Sequence, residues 1–218
     1  MADTHDAPIP LKDRAGPIVA FDFDGTLTVR DSFIGFLRWR CSAPRFAMGL
    51  ARLAPELARY AVQRDRHRLK AAAVTEFLAG VPREALIAEA RAFAAQQAPY
   101  LLRPDAIRVW RRHQSDGARV VVVTASPELI VEPFAHGLGA DLTIGTRLKF
   151  DRQGRVAPGL DGPNCRGPEK VARLQQVFGE DVTLLAAYGD SDGDNEMLAI
   201  AESGQMKYFA GAPVTSKF

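Results

Sequence analysis

The sequence predicts an α/β fold: a doubly wound parallel sheet with an inserted all-helical cap domain and a small β-hairpin. Three short apolar runs, at residues 18–21, 120–123 and 184–188, are typical of buried parallel strands. Helical patterns at residues 127–136 and 168–178 begin with proline and end near glycine, as the chemistry of helix ends favours. This alternation of strands and helices is typical of a sheet covered by helices on both faces.

The insert and the hairpin follow from segment lengths and turn residues. Almost a hundred residues separate the first two apolar runs, and they are rich in Ala, Leu, Arg and Glu. Because one crossover helix needs far fewer, we expect a helical cap over residues 32–104, between core segments at residues 17–31 and 105–218. Residues 147–158 predict a β-hairpin, because a turn that ends in glycine separates two short alternating runs.

The first sixteen residues are expected to form a flexible tail. They contain three aspartates and two prolines, and they lack the basic start and apolar centre of a secretion signal. The most apolar long stretch, residues 43–62, contains four charged residues and two prolines. We therefore do not expect it to cross a bilayer.

Charge and cysteine content exclude further classes. The 28 Lys and Arg against 26 Asp and Glu give a net charge of only +2, so no nucleic-acid partner is expected. Residues 32–104 hold twelve basic and five acidic residues, a local balance of +7 that leaves −5 for the rest. Cys41 and Cys165 predict neither a disulfide framework nor a cysteine-rich metal site, and they fit a reducing, cytoplasmic location.

Two carboxylates follow the first apolar run. Asp22 and Asp24 are two residues apart, so on an extended chain both point to the same face. Such close like charges repel unless a cation neutralises them, and Mg²⁺ takes one or two carboxylates together with phosphate oxygens and water. Gly25 permits a sharp turn that brings backbone N–H groups near a phosphate. The alternative is that the two aspartates only cap a turn.

A second polar cluster, residues 124–127, follows four consecutive valines and precedes a predicted helix. Thr124, Ala125 and Ser126 place hydroxyls and free N–H groups at a helix N-terminus, where phosphate binds well. Ser126 fits equally well as a simple N-cap residue.

Lys170 is predicted in the first turn of a helix, beside the positive end of the helix dipole. This unfavourable placement of a cation needs an explanation. A surface lysine is the alternative. Arg166, in the preceding loop, is a further candidate phosphate contact, with a solvated loop arginine as the alternative.

The last cluster, residues 189–195, carries three carboxylates and follows an apolar strand. Asp190, Asp192 and Asp194 indicate a cation site, with Asp192 expected in solvent. The pattern is not that of a calcium loop, because Asn195 and Ala201 stand where that loop needs glycine and glutamate.

Together these segments resemble the haloacid dehalogenase superfamily, whose phosphatases carry Asp-x-Asp-x-Thr after the first strand, as Asp22 to Thr26 do here. The resemblance implies that Asp22 is a nucleophile that forms an aspartyl-phosphate. Asp24 would protonate the leaving alcohol and then activate water. Thr124 would hold a phosphoryl oxygen, and Lys170 would neutralise the phosphoryl group and Asp22. Mg²⁺ would be held by four carboxylates: Asp22, Asp24, Asp190 and Asp194. Of these, Asp194 would orient a water bound to the ion or pair with Lys170.

The helical insert resembles the cap of the phosphoserine phosphatase-like branch. Asp31 stands where that branch has a glutamate that holds the amino group of serine, so it is a candidate substrate contact. Residues 69–74, Leu-Lys-Ala-Ala-Ala-Val, lack the arginine that binds the serine carboxylate, which argues against phosphoserine. Residues 165–170, with the basic cap and residues 188–191, resemble bacterial relatives that include a phosphatidylglycerophosphate phosphatase.

The expected function is therefore that of a Mg²⁺-dependent phosphomonoesterase acting on a small molecule or a lipid headgroup. The alternatives are a phosphotransferase with the same intermediate and a non-catalytic protein that docks phosphate or lipid. Five arginines of the cap recur every seven residues: Arg38, Arg45, Arg52, Arg59 and Arg66. They could contact an anionic membrane at its surface, although a solvated helix face is the simpler interpretation. The sequence does not indicate an oligomeric state.

Overall fold

The computed structural model describes residues 16–213. Its strands are β1 (Ile18–Phe21), β2 (Arg119–Pro127), β3 (Leu142–Thr146), β4 (Leu148–Phe150), β5 (Val156–Leu160), β6 (Leu184–Gly189) and β7 (Ala201–Met206). Five of them form one sheet in the order β3-β2-β1-β6-β7, and every neighbouring pair is parallel. The predicted doubly wound parallel sheet is confirmed.

Nine α-helices lie in this part of the chain: α1 (Ser32–Arg40), α2 (Ala43–Arg52), α3 (Ala54–Gln63), α4 (Arg66–Leu78), α5 (Arg83–Leu101), α6 (Pro104–Ser115), α7 (Glu128–Gly137), α8 (Pro168–Phe178) and α9 (Asn195–Ala199). Helix α8 has the predicted bounds. Helix α7 begins one residue later than expected, because Pro127 still pairs with Thr146 of β3.

Both faces of the sheet are covered, as alternation of side chains along a strand requires. On one face, the Phe21 ring lies 5.0 Å from that of Trp110 in α6. On the other face, Ile18 belongs to the same buried cluster as Leu174 of α8 and Met197 of α9. The central strands are therefore enclosed, and their carboxyl ends meet at one edge.

The five helices α1–α5 form the predicted helical insert. Asp31, Ser42 and Asp65 cap the N-termini of α1, α2 and α4 by accepting backbone N–H groups. The Phe93 ring of α5 packs 5.5 Å from that of Phe36 in α1 and 5.6 Å from that of Phe134 in α7. Helices α1 and α5 thus attach the insert to the sheet layer.

Helices α2 and α3 are much less buried. Gly49 is the one buried residue of α2, and α3 has none. Many of the apolar side chains of α2 and α3 are therefore only partly packed against the rest of the protein.

The predicted β-hairpin is confirmed as the antiparallel pair β4–β5. It is attached to the loop between α4 and α5. The N–H of Gly80 donates to the carbonyl of Val156 at 2.8 Å, and the N–H of Val156 donates to the carbonyl of Val81 at 2.9 Å.

The regularly spaced arginines of the insert lie on four separate helices. Arg45 and Arg52 both pair with Glu76, and Arg59 pairs with Glu56. They therefore form no single continuous stripe on one helix, and membrane contact stays a prediction.

Cys41 and Cys165 are both free. Among the described residues, none of the helices is both long enough and apolar enough to cross a membrane. Apart from Gly16, the predicted tail lies outside the described residues.

Candidate active site

Asp22 lies directly after β1 and is almost fully buried, with 6% of its surface exposed. Its N–H donates to the carbonyl of Tyr188 at 2.9 Å, which extends the β1–β6 pairing by one residue. Oδ1 accepts from Nζ of Lys170 at 2.6 Å, and Oδ2 accepts from the hydroxyl of Thr26 at 3.3 Å. Burial raises the pKa of Asp22 to about 7, although Lys170 opposes the shift.

Asp24 occupies a different environment two residues further on. One carboxylate oxygen accepts the backbone N–H of Ser32 at 2.6 Å, at the start of α1, and the other accepts the hydroxyl of Ser126. Burial, helped by the nearby charge of Asp31, raises the pKa of Asp24 to about 6. The two carboxylates thus share a pocket but have separate hydrogen-bond partners.

Lys170 joins three of the converging segments and is 1% exposed. Its Nζ donates at 2.6 Å each to Asp22, to Asp194 and to the carbonyl of Val123. Burial alone would lower the pKa of Lys170, but the charges of Asp22 and Asp194 outweigh it and raise the pKa. The lysine therefore stays charged, and all three of its protons are engaged.

Asp190 and Asp194 bring negative charge from the end of β6. Ligand oxygens of Asp22, Asp190 and Asp194 lie within 4.8 Å of one another. Burial raises the pKa of Asp190. For Asp194, burial would act the same way, but Lys170 and backbone N–H groups lower its pKa. Three oxygen donors this close, with only one lysine among them, fit a hard cation such as Mg²⁺.

Asp194 uses both oxygens within the protein. Oδ1 pairs with Lys170, and Oδ2 accepts the N–H groups of Asp190 and Ser191 at 3.1 and 3.0 Å. It therefore shapes the acidic loop that carries Asp190. The carboxylate of Asp24 is not in the three-residue cluster and is already bound to Ser32 and Ser126.

The second polar cluster lies beside these carboxylates. Thr124 is fully buried, and its oxygen accepts the N–H of Ser126 at 3.0 Å. The N-cap interpretation of Ser126 is wrong, because Pro127 precedes α7 and the Ser126 hydroxyl donates to Asp24 instead. The pocket is lined by all three residues of this cluster, Thr124, Ala125 and Ser126. That they bind phosphate stays a prediction.

Gly25 has a φ of +85°, and a Cβ here would collide with the carboxylate of Asp190. The glycine therefore permits both the turn and the close approach of the acidic loop.

The remaining candidates have partners of their own. Arg166 pairs with Asp192, whose side chain is 75% exposed, so this aspartate is in solvent as predicted. Asp31 accepts the N–H of Ile34 at 2.8 Å and caps α1. Both Arg166 and Asp31 line the pocket. Because each already has a partner within the protein, a role in binding substrate stays a prediction for both.

Lys70 and Asn164 are two site residues that the sequence did not reveal. Nζ of Lys70, from α4 of the insert, donates to the carbonyl of Ala125 and, at 2.9 Å, to Oδ1 of Asn164. Burial lowers the pKa of Lys70 to about 8, while Asp24 and Asp31 oppose the shift. The signal was a lone lysine in the alanine-rich stretch that lacks the expected arginine.

Every candidate site residue named above except Asp192 lines one pocket with a volume of about 570 Å³. Most of the polar groups come from the ends of β1, β2 and β6 and from the start of α8, and the insert adds Arg66 and Lys70. The other side chains that the insert contributes are mostly apolar. The pocket therefore has a charged end and an apolar end.

Comparison with known proteins gives a family. The model of the haloacid dehalogenase-like hydrolases matches residues 19–199. Protein CicA of Caulobacter vibrioides is 58% identical over 196 residues, which cover 90% of this chain and 88% of that protein. A histidinol-phosphatase of Neisseria meningitidis is 28% identical over 124 residues, covering 55% of this chain and 56% of that protein.

Solved structures share the fold. A protein of unknown function from Bordetella pertussis Tohama I superposes with a TM-score of 0.69 at 23% identity, covering 85% of this chain and 87% of that one. A substrate-bound phosphoserine phosphatase gives a TM-score of 0.59 at 18% identity, with 89% and 86% covered. The likeness of the fold to phosphoserine phosphatases is confirmed, and the likeness to phosphatidylglycerophosphate phosphatases stays a prediction.

Proposed function

The chain belongs to the haloacid dehalogenase-like hydrolase family, and from this premise we propose that it is a Mg²⁺-dependent phosphatase that hydrolyses phosphate monoesters through an aspartyl-phosphate on Asp22. One observation carries the proposal. Asp22 and Asp24 face one pocket, but Asp22 is paired with a buried lysine whereas Asp24 is held by Ser126 and Ser32. Two carboxylates with two environments suit a nucleophile and a general acid.

The nucleophilic step follows from the contacts of Asp22. One of its oxygens attacks phosphorus, a new P–O bond forms, and the bond to the leaving alcohol breaks. Lys170 contacts the same carboxylate and keeps its orientation fixed. The positive charge also offsets the negative charge that gathers around phosphorus.

Proton transfer is assigned to Asp24. Its pKa of about 6 allows a protonated fraction near neutral pH, so it can give a proton to the departing alkoxide. The resulting carboxylate then takes a proton from water as that water attacks phosphorus. Inorganic phosphate leaves, and Asp22 is regenerated.

Asp22 and Asp190 are proposed to hold Mg²⁺, with Asp194 fixing the loop that carries Asp190. When bound, the ion supplies positive charge that lowers the pKa of Asp22 and offsets charge on the phosphoryl group. The hydroxyl of Thr124 and the N–H group of residue 125 are proposed to bind phosphoryl oxygens, with Ser126 beside them in the pocket. Gly25, Arg166 and Asp31 stay candidate contacts.

The experiment is a phosphate-release screen with and without a chelator. Its panel holds phosphoserine, sugar phosphates, nucleotides and phosphatidylglycerophosphate in vesicles. We expect Mg²⁺-dependent turnover that Asp22→Asn abolishes and that Asp192→Asn, an exposed control, retains. A phosphatase that stays active in Asp22→Asn contradicts the assignment.

The intermediate has its own test. With Asp24→Asn and an aryl phosphate, whose leaving group departs without an acid, the acyl phosphate still forms but its hydrolysis loses its base, so we expect a phosphorylated protein to accumulate and to be detected by intact mass. Adding alcohols to the parent protein and analysing the products separates hydrolysis from the alternative phosphotransfer. If no substrate is turned over, the alternative of a non-catalytic docking protein gains support.

A lipid headgroup remains a proposed substrate, with peripheral contact at the inner face of the membrane and a cytoplasmic location. The net positive charge of residues 32–104 supports it. Flotation with anionic liposomes at low salt measures the contact directly, and absence of binding removes this part of the proposal.

A further inference from the structure

The active-site pocket, with a volume of about 570 Å³ as a whole, includes apolar walls that the catalytic chemistry does not use. Among the apolar side chains of α1, α2, α3 and α4 that line it, six form what we call the apolar chamber: Phe33, Leu37, Phe46, Leu50, Leu57 and Phe77. Pockets that bind small molecules have volumes of roughly 300–1,000 Å³ and mostly apolar walls. The volume of about 570 Å³ lies in this range.

Part of this apolar surface is exposed to solvent. Leu50 is 41% exposed and Leu57 is 40% exposed, and Ile34, which also lines the pocket, is 58% exposed. Leu50 and Leu57 lie on the two helices that bury almost nothing. Such surface gains free energy when a ligand removes it from water.

Position links the chamber to the leaving group. A phosphoryl group bound at Asp22 must direct its alcohol away from the sheet, because Lys170 and the carbonyl of Val123 close the other side. Asp24, which would protonate that alcohol, is bonded to the first residue of α1. The alcohol therefore faces the insert, whose walls are the apolar chamber.

The charged groups nearby do not offer a ready site for a charged alcohol such as serine. Asp31 is engaged as the cap of α1, and Lys70 is bonded to Ala125 and Asn164. Arg30 and Arg66 also line the pocket but are exposed. A substrate carboxylate could therefore pair with Arg30 or Arg66 only at an exposed position, where an ion pair contributes little.

We propose that the apolar chamber makes this site selective for phosphate monoesters whose alcohol carries an apolar chain or ring, which rests on the proposed phosphatase function. The phosphate is anchored at the charged end, and the apolar part displaces water from the exposed leucines. The same chemistry occurs in a soluble monoester and in a membrane lipid phosphate.

The test measures kcat/KM for n-alkyl phosphates from ethyl to octyl, kept below the concentration at which they aggregate. We expect about a fourfold rise for each added methylene until the chamber is filled. Phosphoserine and glycerol phosphate should be poorer than hexyl phosphate. A flat or falling series, with phosphate still released, overturns the inference and leaves the proposed function intact.

Binding gives a readout that does not need turnover. Calorimetry with Asp22→Asn protein should show the same increase of affinity with chain length. If no compound is hydrolysed by the parent protein but the affinities still rise with chain length, the proposed phosphatase function is wrong and the apolar chamber is still supported as a binding site. If the affinities are flat, the chamber assignment fails.

Matched variants locate the effect. In Leu57→Ala we expect the ratio of octyl to ethyl phosphate kcat/KM to fall at least about fourfold, the value of one buried methylene. Val62→Ala on the same helix is the control, because Val62 is 83% exposed and does not line the pocket. Leu57→Trp should shorten the chain length at which the series levels off. Equal ratios in all three variants contradict the proposal.

A separate arm identifies the source of the substrate. Octyl phosphate in solution is compared with phosphatidic acid in neutral phosphatidylcholine vesicles. Faster turnover of either over glycerol phosphate supports the shared chemistry, and the ratio between them tells a soluble substrate from a membrane one. Preference for glycerol phosphate over both counts against it.

Discussion

Replacing Lys170 with methionine tests how the site is held together. The methionine keeps an unbranched chain of similar length but removes the charge and all three hydrogen bonds to Asp22, Asp194 and Val123. Lys170 is 1% exposed, so solvent does not screen these interactions. Removing one partner of a buried ion pair costs about 3–5 kcal/mol.

We expect the lower end of that range, about 3 kcal/mol, because the carboxylates left behind can take up a proton. Burial already raises the pKa of Asp22 to about 7, and loss of Lys170 removes the charge that opposes this shift. A folded-state pKa above the ordinary 3.8 means that the folded protein binds the proton more tightly than the unfolded chain does. The unfolding free energy therefore falls as pH rises from about 4 through the folded pKa.

Urea unfolding, followed by circular dichroism with chelator present, measures the effect at pH 5.5 and pH 8. With a slope of about 1–3 kcal/mol per molar urea, the midpoint should fall by about 1 M or more at pH 8. The difference from the parent protein should be smaller at pH 5.5, where Asp22 is protonated in both proteins. Lys149→Met, at an exposed position, should change stability by less than about 0.5 kcal/mol.

The reasoning is refuted if Lys170→Met costs no more than Lys149→Met at pH 8. It is also refuted if the loss of stability is equally large at both pH values. Either outcome would mean that the buried charges do not depend on the lysine.

Three further predictions address single contacts. Ser126→Ala removes a hydrogen bond that lowers the pKa of Asp24. The limb of the pH–rate profile that reports this acid should therefore move to higher pH by about one unit. A limb that does not move argues against Asp24 as the acid. Asp190→Asn should weaken Mg²⁺ binding in calorimetry by at least about tenfold, whereas Asp192→Asn should leave it within twofold. Lys70→Met should speed hydrogen exchange of α4 amides, because the Lys70 side chain makes hydrogen bonds from that helix to Ala125 and Asn164. Unchanged exchange would show that these bonds do not stabilise α4.

Local patterns predicted much of the fold because they report local structure. The strand at residues 18–21, the helix at residues 168–178 and the hairpin each carry their own periodicity or turn signal, and the structure has all three. Strand β7 gave no such signal. Its sequence, Ala-Glu-Ser-Gly-Gln-Met, is mostly polar, because an edge strand pairs on one side only and faces solvent.

The candidate site divides in the same way. Asp22, Asp24 and Asp190 could be named because each follows a predicted strand. The partners of Ser126 and Lys70 could not, since Ser126 contacts a residue 102 positions away and Lys70 contacts one 94 positions away. Contacts this distant in sequence leave no periodic trace, and only the folded chain shows them.

The charges of the site connect its stability to its proposed chemistry. Asp22, Asp190 and Asp194 form the cluster of ligand oxygens, and Lys170 pairs with two of them. With all three carboxylates ionised, these four groups carry a charge of −2. Burial raises the pKa of Asp22 and of Asp190, so the fold resists that ionised state. A bound divalent cation would cancel the same −2, and an ionised Asp22 is the form that can attack phosphorus. Stability and nucleophilicity therefore call for the same ion.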